Sequence, residues 1–317
     1  MGARNYMRFL LAAFVFSAFF SGMAYAGEGV EKARDPALLR LASSNVLVLD
    51  TRTGQPVYSK NADDVTPIAS ITKLMTAMLV IDANQPLDQE IEITQDDVDT
   101  LRHSHSRLPV GARLSRTELL HLALMSSDNR AAHALGRSYP GGIPAIVAEM
   151  NSRAAILGMS RTHFVEPTGL SDDNVSTAHD LARMVKAASQ YELIQRYTTN
   201  TEHYVELEPY GRVVAFHNTN ALTKSDNWDI RLSKTGYIRE AGRCLVMMAN
   251  IASRDVAIVL LDSFGSRTRT TDAMRVKYWL ETGKSLALPK PKARSKRGHR
   301  SRASTSRRVA RNDSRAS

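Results

Sequence analysis

Segments that predict β-strands lie toward both ends of this chain, with a long helical region between them. Residues Asn45–Asp50 and 56–59 flank a glycine-containing loop, which predicts a β-hairpin. Residues from about 84 to 198 show mostly helical patterns. Strand-like segments then return at residues 202–208 and 212–216, and three more follow at residues 230–234, 244–250 and 256–261. We therefore predict an α/β fold in which both ends of the chain build one antiparallel sheet, flanked by helices, with a mostly helical lobe inserted.

A serine and a lysine stand three residues apart at the start of a predicted helix. Ser70 and Lys73 share one face of that helix, because positions i and i+3 are neighbours. The apolar residues around them form a stripe that predicts packing against a core: Ile71, Leu74, Met75 and Met78. Pro67 places the helix start close to Ser70, where unpaired backbone N–H groups can hold an oxyanion. The pair is therefore a candidate nucleophile and base.

Two further motifs support an active site at this pair. Residues 127–129 read Ser-Asp-Asn at a predicted break between two helices, and residues 234–236 read Lys-Thr-Gly on a predicted strand. A Ser-x-x-Lys pattern alone occurs by chance in many helices. The three motifs in this order are those of the penicillin-interacting serine enzymes. The sequence therefore predicts an active site assembled from distant parts of the chain.

With these motifs the chain resembles the low-molecular-mass penicillin-binding proteins, and most closely the D-alanyl-D-alanine endopeptidases of the penicillin-binding protein 7 type. The resemblance extends from about residue 44 to residue 279 and rests on residues 69–76, 127–132, 166–170 and 233–238. It implies the penicillin-binding/transpeptidase fold, with the cleft between the lobes. It also implies peptidoglycan as the substrate, β-lactams as covalent inhibitors and no cofactor.

The resemblance assigns catalytic roles to Ser70, Lys73 and Ser127. Ser70 is the expected nucleophile, and its acyl-enzyme is the expected intermediate. Lys73 is the expected general base, since burial and a nearby cation at Lys234 both lower a lysine pKa. Ser127 is expected to relay a proton between Lys73 and the leaving nitrogen. The N–H groups of Ser70 and Tyr237 are the expected oxyanion hole.

The same resemblance assigns substrate binding to the other motif residues. Asn129 is expected to hold the amide backbone of the substrate. Lys234, on an edge strand, and Thr235 are expected to bind the terminal carboxylate of D-alanine or the equivalent carboxylate of a β-lactam. Gly236 is expected to let the substrate backbone lie close to the strand.

Several other polar residues are predicted to be structural. Class A β-lactamases use a loop glutamate to hydrolyse their acyl-enzyme, but Glu166 lacks the Glu-x-x-x-Asn pattern of that loop. Residues 103–105, His-Ser-His, fit no metal-ligand spacing. Asn218 and Asn220 are predicted to form turns, and the single cysteine, Cys244, to be a small buried core residue. The sequence therefore predicts neither a metal site nor a β-lactamase.

The N-terminal segment predicts export. Arg4 and Arg8 precede an apolar run at residues 9–20, and residues 24–26 read Ala-Tyr-Ala, a small-x-small cleavage pattern. An uncleaved anchor is the alternative, but the run is short of the roughly 20 residues that span a bilayer. We predict a signal peptide at residues 1–26, cleaved after Ala26, and a periplasmic protein with a catalytic domain at residues 27–283.

The positive charge of the chain is concentrated in its last residues. Residues 290–317 contain 11 of the 42 basic and 1 of the 32 acidic residues, a local charge of +10 that equals the charge of the whole chain. Composition predicts that residues 284–317 form a disordered basic tail. An exported protein does not meet nucleic acid as the resident polyanion, so the expected partners of the tail are anionic envelope polymers or lipids. The alternative is a tail that is merely solvated and has no partner.

The leading functional hypothesis is a periplasmic serine D,D-endopeptidase that cuts D-alanyl cross-links in peptidoglycan. A D-alanyl-D-alanine carboxypeptidase would use the same catalytic residues on stems that are not cross-linked. Similar carboxypeptidases usually append a β-rich domain, whereas this sheet region leads into the basic tail. A non-catalytic wall-binding protein is the third alternative, and the intact motif residues argue against it.

Overall fold

The computed structural model describes residues 34–288. In chain order the elements are β1 (Asn45–Asp50), β2 (Pro56–Lys60), β3 (Thr66–Pro67), α1 (Lys73–Asp82), β4 (Glu90–Glu92), β5 (Arg113–Ser115), α2 (Arg116–Met125), α3 (Asn129–Arg137), α4 (Gly142–Ile156), β6 (Val175–Ser176), α5 (Ala178–Ala188), α6 (Glu192–Thr199), β7 (Glu202–Leu207), β8 (Arg212–His217), β9 (Asp229–Ile238), β10 (Gly242–Ile251), β11 (Arg254–Ser263) and α7 (Thr268–Thr282). The predicted signal peptide and residues 289–317 of the predicted tail lie outside the described residues.

The central sheet is antiparallel, with the strand order β2-β1-β11-β10-β9. β1 forms the predicted hairpin with β2 and also pairs with β11, from Asn45 opposite Leu261 to Asp50 opposite Val256. The N-terminal hairpin and the later strands β9, β10 and β11 therefore share one sheet, as predicted. β9 occupies an edge of this sheet, so the Lys-Thr-Gly segment it carries has one side available to a cleft.

Both faces of the sheet are covered, because alternate residues of its strands enter different cores. Leu47 of β1 faces a large core shared with the helices, whereas Val46 and Val48 face a smaller core closed by α7. Trp279 of α7 is fully buried in that smaller core, and its Nε1 donates a hydrogen bond to the Asp35 carbonyl at 3.1 Å. The sheet is thus the middle layer of three.

α1 passes through the large core and is buried over most of its length. The apolar stripe predicted from the sequence is fully buried: Ile71, Leu74, Met75 and Met78. α2 begins with a capping box, in which the Ser115 hydroxyl accepts from the Glu118 N–H and the Glu118 carboxylate accepts from the Ser115 N–H. Within residues 34–288, no helix is both long and apolar enough to cross a bilayer.

One helix prediction is wrong. The helical pattern from Thr177 to about Tyr197 predicts a single helix, but the chain forms α5 and α6 with a break between them. Ser189 ends α5, and its hydroxyl donates to the Lys186 carbonyl at 2.8 Å. The Gln195 side chain donates back to the Ser189 carbonyl at 2.7 Å. Side chains thus donate hydrogen bonds to the backbone carbonyls at the break. The amphipathic pattern of the sequence continues across it, so the pattern alone does not show where α5 ends.

The prediction that all the later strands join one sheet is wrong for β7 and β8, which pair only with each other as a separate two-stranded sheet. The Arg113 N–H donates to the Glu208 carbonyl at 3.0 Å, which links this hairpin to the helical region. The outer edge of β8 lies beside the loop at residues 105–109, where Arg107 donates to the Ala215 carbonyl. The hairpin and this loop therefore face each other across a groove.

Candidate active site

Ser70 lies in a 3₁₀ turn, Ala69–Thr72, that leads directly into α1. The α-helix itself begins at Lys73, and Pro67 belongs to β3 rather than to a first helical turn. Side chains three apart in a 3₁₀ turn lie on the same side, so Ser70 and Lys73 meet as the sequence predicts. Ala69 has φ of 48°, a left-handed conformation that a residue other than glycine adopts at a cost. Backbone strain is thus located directly before the candidate nucleophile.

Lys73 is surrounded by hydrogen-bond acceptors and closed off from water. Its Nζ donates to Ser70 Oγ at 2.9 Å, to Asn129 Oδ1 at 2.7 Å and to the Thr168 carbonyl at 2.5 Å. Burial lowers the pKa of Lys73 to about 8, although the carboxylate of Glu166 acts in the opposite direction. At neutral pH roughly a tenth of such a side chain is the neutral amine, which can accept the Ser70 proton.

Ser127 contacts the second lysine of the site. It lies between α2 and α3 with φ of 62°, and Asp128 caps α3 by accepting from the Ala131 N–H at 3.0 Å. Lys234 Nζ donates to Ser127 Oγ at 2.8 Å. Burial lowers the pKa of Lys234 well below its usual value, and the charges of Lys73 and Arg269 lower it further. Both lysines of the motifs therefore lie in one buried site.

The pairing of side chains differs from the one expected from the sequence. The expectation is that Ser127 contacts Lys73, whereas in the structure Ser127 is hydrogen-bonded to Lys234 and Lys73 to Asn129. Asn129 Nδ2 also donates to Ser104 Oγ at 2.8 Å. The proton-relay role of Ser127 and the substrate-binding role of Asn129 stay predictions. The structure brings all four side chains into one cluster.

β9 runs directly against the turn that carries Ser70. A Cβ atom on Gly236 would lie 2.9 Å from the Ile68 carbonyl oxygen and 3.1 Å from the Ser70 nitrogen. Glycine is therefore required here by the packing of β9 against the protein's own backbone, a reason that the sequence did not provide. Thr235 Oγ1 donates to Thr219 Oγ1 at 2.7 Å, and Tyr237 is 57% exposed. The oxyanion-hole role of the Ser70 and Tyr237 N–H groups stays a prediction, which this close approach supports.

The loop at residues 166–170 supports the site from behind. The Glu166 carboxylate accepts from the N–H groups of Thr168 and Gly169, both at 2.6 Å, and from Asn174 Nδ2 at 3.0 Å. Gly169 has φ of 81°, and a Cβ atom there would lie 2.0 Å from the Ala69 carbonyl oxygen. Glu166 thus has a structural role as predicted, and its loop presents the Thr168 carbonyl to Lys73.

Arg269 is a site residue that the sequence does not reveal. From the first turn of α7 its Nη1 donates to the Gly236 carbonyl at 2.8 Å and to the Cys244 carbonyl at 3.1 Å, which joins the backbones of β9 and β10. Burial, with the charge of Arg243, lowers its pKa to about 10. No motif marks this arginine, because only the folded sheet brings α7 against the Lys-Thr-Gly strand.

The remaining polar residues have structural partners. Asn220 caps the 3₁₀ turn Ala221–Lys224, and Asn218 Nδ2 donates to the Thr198 and Asn200 carbonyls. Cys244 is fully buried, and burial raises its pKa to about 11. Among residues 34–288 no three His, Cys, Asp or Glu side chains are grouped so as to hold a metal ion.

Comparison with known proteins shows extensive similarity. Residues 30–265 match the family described as D-alanyl-D-alanine carboxypeptidase. The chain is 48% identical over 258 residues to the D-alanyl-D-alanine endopeptidase of Pseudomonas aeruginosa, which covers 81% of this chain and 83% of that protein. It is 45% identical over 249 residues to the D-alanyl-D-alanine endopeptidase of Escherichia coli, covering 78% and 80%.

The fold is similar to those of solved structures. Penicillin-binding protein D2 of Listeria monocytogenes, in its ampicillin-bound form, matches with a TM-score of 0.65 and 30% sequence identity. The match covers 76% of this chain and 98% of that one. The α/β prediction, with an antiparallel sheet flanked by helices, is therefore confirmed.

Proposed function

Because this chain belongs to the D-alanyl-D-alanine carboxypeptidase family of serine peptidases, we propose that it is a D,D-endopeptidase that hydrolyses D-alanyl cross-links in peptidoglycan. One observation carries the chemistry. The buried Nζ of Lys73, with its pKa lowered to about 8, is hydrogen-bonded to the hydroxyl of Ser70 at 2.9 Å. A hydroxyl beside a partly neutral amine can be deprotonated as it attacks a carbonyl.

The acylation step uses these two residues and their neighbours. Lys73 takes the proton of Ser70 as Oγ attacks the D-alanyl carbonyl carbon, and the N–H groups of Ser70 and Tyr237 hold the oxyanion. As the carbon–nitrogen bond breaks, the Ser127 hydroxyl gives its proton to the leaving nitrogen. Ser127 then recovers a proton from the protonated Lys73, and Lys234, which donates to Ser127 Oγ at 2.8 Å, stays charged. Water afterwards hydrolyses the acyl-enzyme.

Substrate binding is assigned to the edge strand and to Asn129. Lys234 and Thr235 bind the carboxylate beside the scissile bond through charge-assisted hydrogen bonds. Asn129 holds the substrate amide. A β-lactam presents a carboxylate and a reactive carbonyl at similar positions, so it acylates Ser70. The ampicillin-bound form of the similar Listeria protein supports this inhibition.

The endopeptidase assignment draws on the relatives. The two relatives that are 48% and 45% identical are both named D-alanyl-D-alanine endopeptidase. The alternative is a carboxypeptidase, which is the description of the family as a whole. A non-catalytic wall-binding role is disfavoured, because the contacts of Ser70, Lys73, Ser127 and Lys234 are complete.

Digestion of purified substrates separates these functions. Cross-linked peptidoglycan dimers and pentapeptide monomers are incubated side by side with the wild-type protein and with Ser70→Ala. The proposal predicts that monomers are released from dimers faster than terminal D-alanine is released from pentapeptides, and that Ser70→Ala does neither. Faster release of terminal D-alanine would identify a carboxypeptidase.

Localisation and the termini complete the proposal. The signal peptide, residues 1–26, directs the chain to the periplasm, where its substrate is located and where it takes part in cell wall biogenesis and cell shape. Residues 27–283 are the catalytic domain, with residues 84–198 as its helical lobe. The basic tail, residues 284–317, binds anionic envelope polymers or lipids. The +10 charge of residues 290–317 supports this partner class.

A further inference from the structure

A groove leads away from Ser127 along the outer edge of β8. Beside Ser127 it is a cavity of about 190 Å³, whose wall includes His105, Arg107 and Phe216. His105 and Arg107 also line a larger cavity of about 620 Å³, which lies between the loop at residues 105–109 and β8. The two cavities adjoin at these residues, where Arg107 donates to the Ala215 carbonyl of β8, and together they line a groove that begins beside Ser127.

Three guanidinium groups line the groove without a carboxylate partner among residues 34–288. Arg107 donates to the Ala215 carbonyl and lies 5.9 Å from the centre of the Phe216 ring. Arg130 donates to the Leu108 carbonyl at 2.6 Å, and its Nε is buried without a hydrogen-bond partner. Arg212 extends from the start of β8. The groove therefore carries uncompensated positive charge.

Two acidic groups near the groove are already engaged. Asp128 is buried, caps α3 and accepts from Ser106 Oγ at 2.7 Å. Glu202, on β7, lies 3.6 Å from the imidazole of His217. Elsewhere on the protein a cleft arginine does have acidic partners: Arg102 contacts both Asp172 and Glu240. Arg107 and Arg130, by contrast, donate to backbone carbonyls of the protein.

The groove also suits an extended peptide. β8 pairs with β7 along one edge only, so its other edge presents backbone groups to the groove. The floor is apolar and includes Leu108, Pro109, Val213 and Val214. A free strand edge beside apolar side chains is the arrangement by which proteins bind extended peptides.

We propose that this groove binds the leaving strand of the cross-linked substrate and that Arg107, Arg130 and Arg212 recognise a free carboxylate on that strand, beyond the scissile bond. The inference rests on the proposed function, because the leaving nitrogen takes its proton from Ser127 and the groove begins at Ser127. Guanidinium groups bind carboxylates in a planar, two-point geometry that excludes an amide of the same shape.

Two synthetic cross-linked peptides test the proposal. They are identical except that the leaving strand carries either a free carboxylate or the corresponding carboxamide. We expect the wild-type kcat/KM to be about tenfold higher for the carboxylate, mainly through KM, which corresponds to one charged pair at a partly exposed site. The double variant Arg107→Gln/Arg212→Gln, which retains only Arg130, should lose most of this preference and cleave the carboxylate peptide at a rate close to that of the carboxamide.

Controls separate recognition from folding. Arg52→Gln removes one positive charge from the exposed β1–β2 loop, away from the groove, and should retain the tenfold preference. The rate of acylation by benzylpenicillin, which has no leaving strand in the groove, should be unchanged in the double variant. An equal kcat/KM for both peptides in the wild type, or an undiminished preference in the double variant, would overturn the proposal.

A binding measurement keeps this test independent of the endopeptidase assignment. The released strand, in its carboxylate and carboxamide forms, is titrated calorimetrically into Ser70→Ala protein with and without the two arginine substitutions. Carboxylate-selective binding that disappears with the arginines, in a protein that does not cleave cross-links, would refute the proposed function and support the groove. Cleavage of cross-links without any such selectivity would support the proposed function and refute the role of the groove.

Discussion

Lys73 Nζ lies 2.9 Å from Ser70 Oγ, and the Lys73 side chain is 1% exposed to solvent. Three hydrogen bonds replace the water around the Lys73 amine, and the protonated amine has the three N–H donors that they need. Removal of its proton costs less than it does for a lysine in water, because burial penalises the charged form and lowers the Lys73 pKa to about 8. The position is therefore suited to a base that is charged at rest and neutral during attack.

The pH dependence of acylation should report this lysine. The neutral amine is the active form, and its fraction increases as the pH rises through the Lys73 pKa of about 8. The rate of acylation by benzylpenicillin should therefore increase from pH 6 to pH 9 and level off above the pKa. Stopped-flow measurement across this range checks it, and a rate independent of pH would remove Lys73 from the role of base.

Substitution of the base should slow acylation much more than it affects folding. Lys73→Met retains the length of the side chain and removes the donor to Asn129 and Thr168, so we expect a modest loss of stability, about 1–3 kcal/mol, and a folded protein. The acylation rate should fall by about 10²–10⁴, the contribution of a positioned general base. A near-normal rate in this variant would assign the base to another group.

Gly169 should tolerate no side chain, in contrast to a matched glycine elsewhere. An added Cβ would lie 2.0 Å from the Ala69 carbonyl, so Gly169→Ala must displace the turn of Ser70. We expect acylation to be slower by about a hundredfold, because a small displacement of a reacting group lowers the reaction rate by about that factor. Gly54 has a similar φ of 72° but no atom within 4 Å of the added Cβ.

Gly54→Ala is therefore the control, and it should cost only about 1–2 kcal/mol of stability through backbone strain. Acylation by Gly54→Ala should be normal. Equal acylation rates for the two variants would show that contact between Gly169 and Ala69 does not position Ser70.

Acid should destabilise the protein through His121. Its ring lies between Tyr197, at 4.4 Å, and His203, at 4.1 Å, and Asn200 Nδ2 donates to it at 3.1 Å. Burial, with the charge of His203, lowers the pKa of His121 to about 4. The unfolded chain, with an ordinary histidine pKa of about 6.5, therefore takes up the proton first as the pH falls.

Stability from His121 is present above about pH 6.5 and is lost between pH 6.5 and pH 4, by up to about 3 kcal/mol. His121→Phe keeps an aromatic ring in the stack but cannot titrate, so its stability should depend less on pH in this range. Urea unfolding of both proteins at pH 7.5 and pH 4.5 measures the difference. The same loss in both would place the acid sensitivity elsewhere.

The basic tail should act independently of the active site. The protein without residues 290–317 should lose salt-sensitive association with anionic vesicles and purified sacculi, because those residues carry a charge of +10. Its acylation by benzylpenicillin should be unchanged. Co-sedimentation at low and high salt measures the association, and equal binding by the full-length and shortened proteins would leave the tail without this role.

The sequence predicts most of the elements of this fold because their periodicities are local. The continuous apolar run in β1 and the apolar stripe around Ser70 each report burial directly, and the capping box at Ser115 marks a helix start. The break after Ser189 has no such signal, since hydrogen bonds from side chains make it without interrupting the amphipathic pattern. Local sequence patterns therefore predict helices and strands well, but they do not predict a break between two helices that share one amphipathic pattern.

The active site likewise has residues that the sequence predicts and residues that it does not. Motifs predict that Ser70, Lys73 and Lys234 meet, because each motif supplies a side chain with recognisable chemistry. The backbone carbonyl of Thr168 accepts from Lys73, which is 95 residues away in sequence. Arg269 donates to the backbone carbonyl of Gly236, which is 33 residues away. Carbonyl groups carry no sequence signature, so only the folded structure reveals them.

The most direct test of the account is the site of covalent modification. Wild-type protein and Ser70→Ala are treated with benzylpenicillin, their intact masses are measured, and the modified peptide is identified after proteolysis. The account predicts one adduct per wild-type chain, attached to Ser70, and no adduct on a Ser70→Ala protein that is folded by circular dichroism. An adduct that persists in Ser70→Ala, or that maps to another residue, would contradict the assignment of Ser70 as the nucleophile.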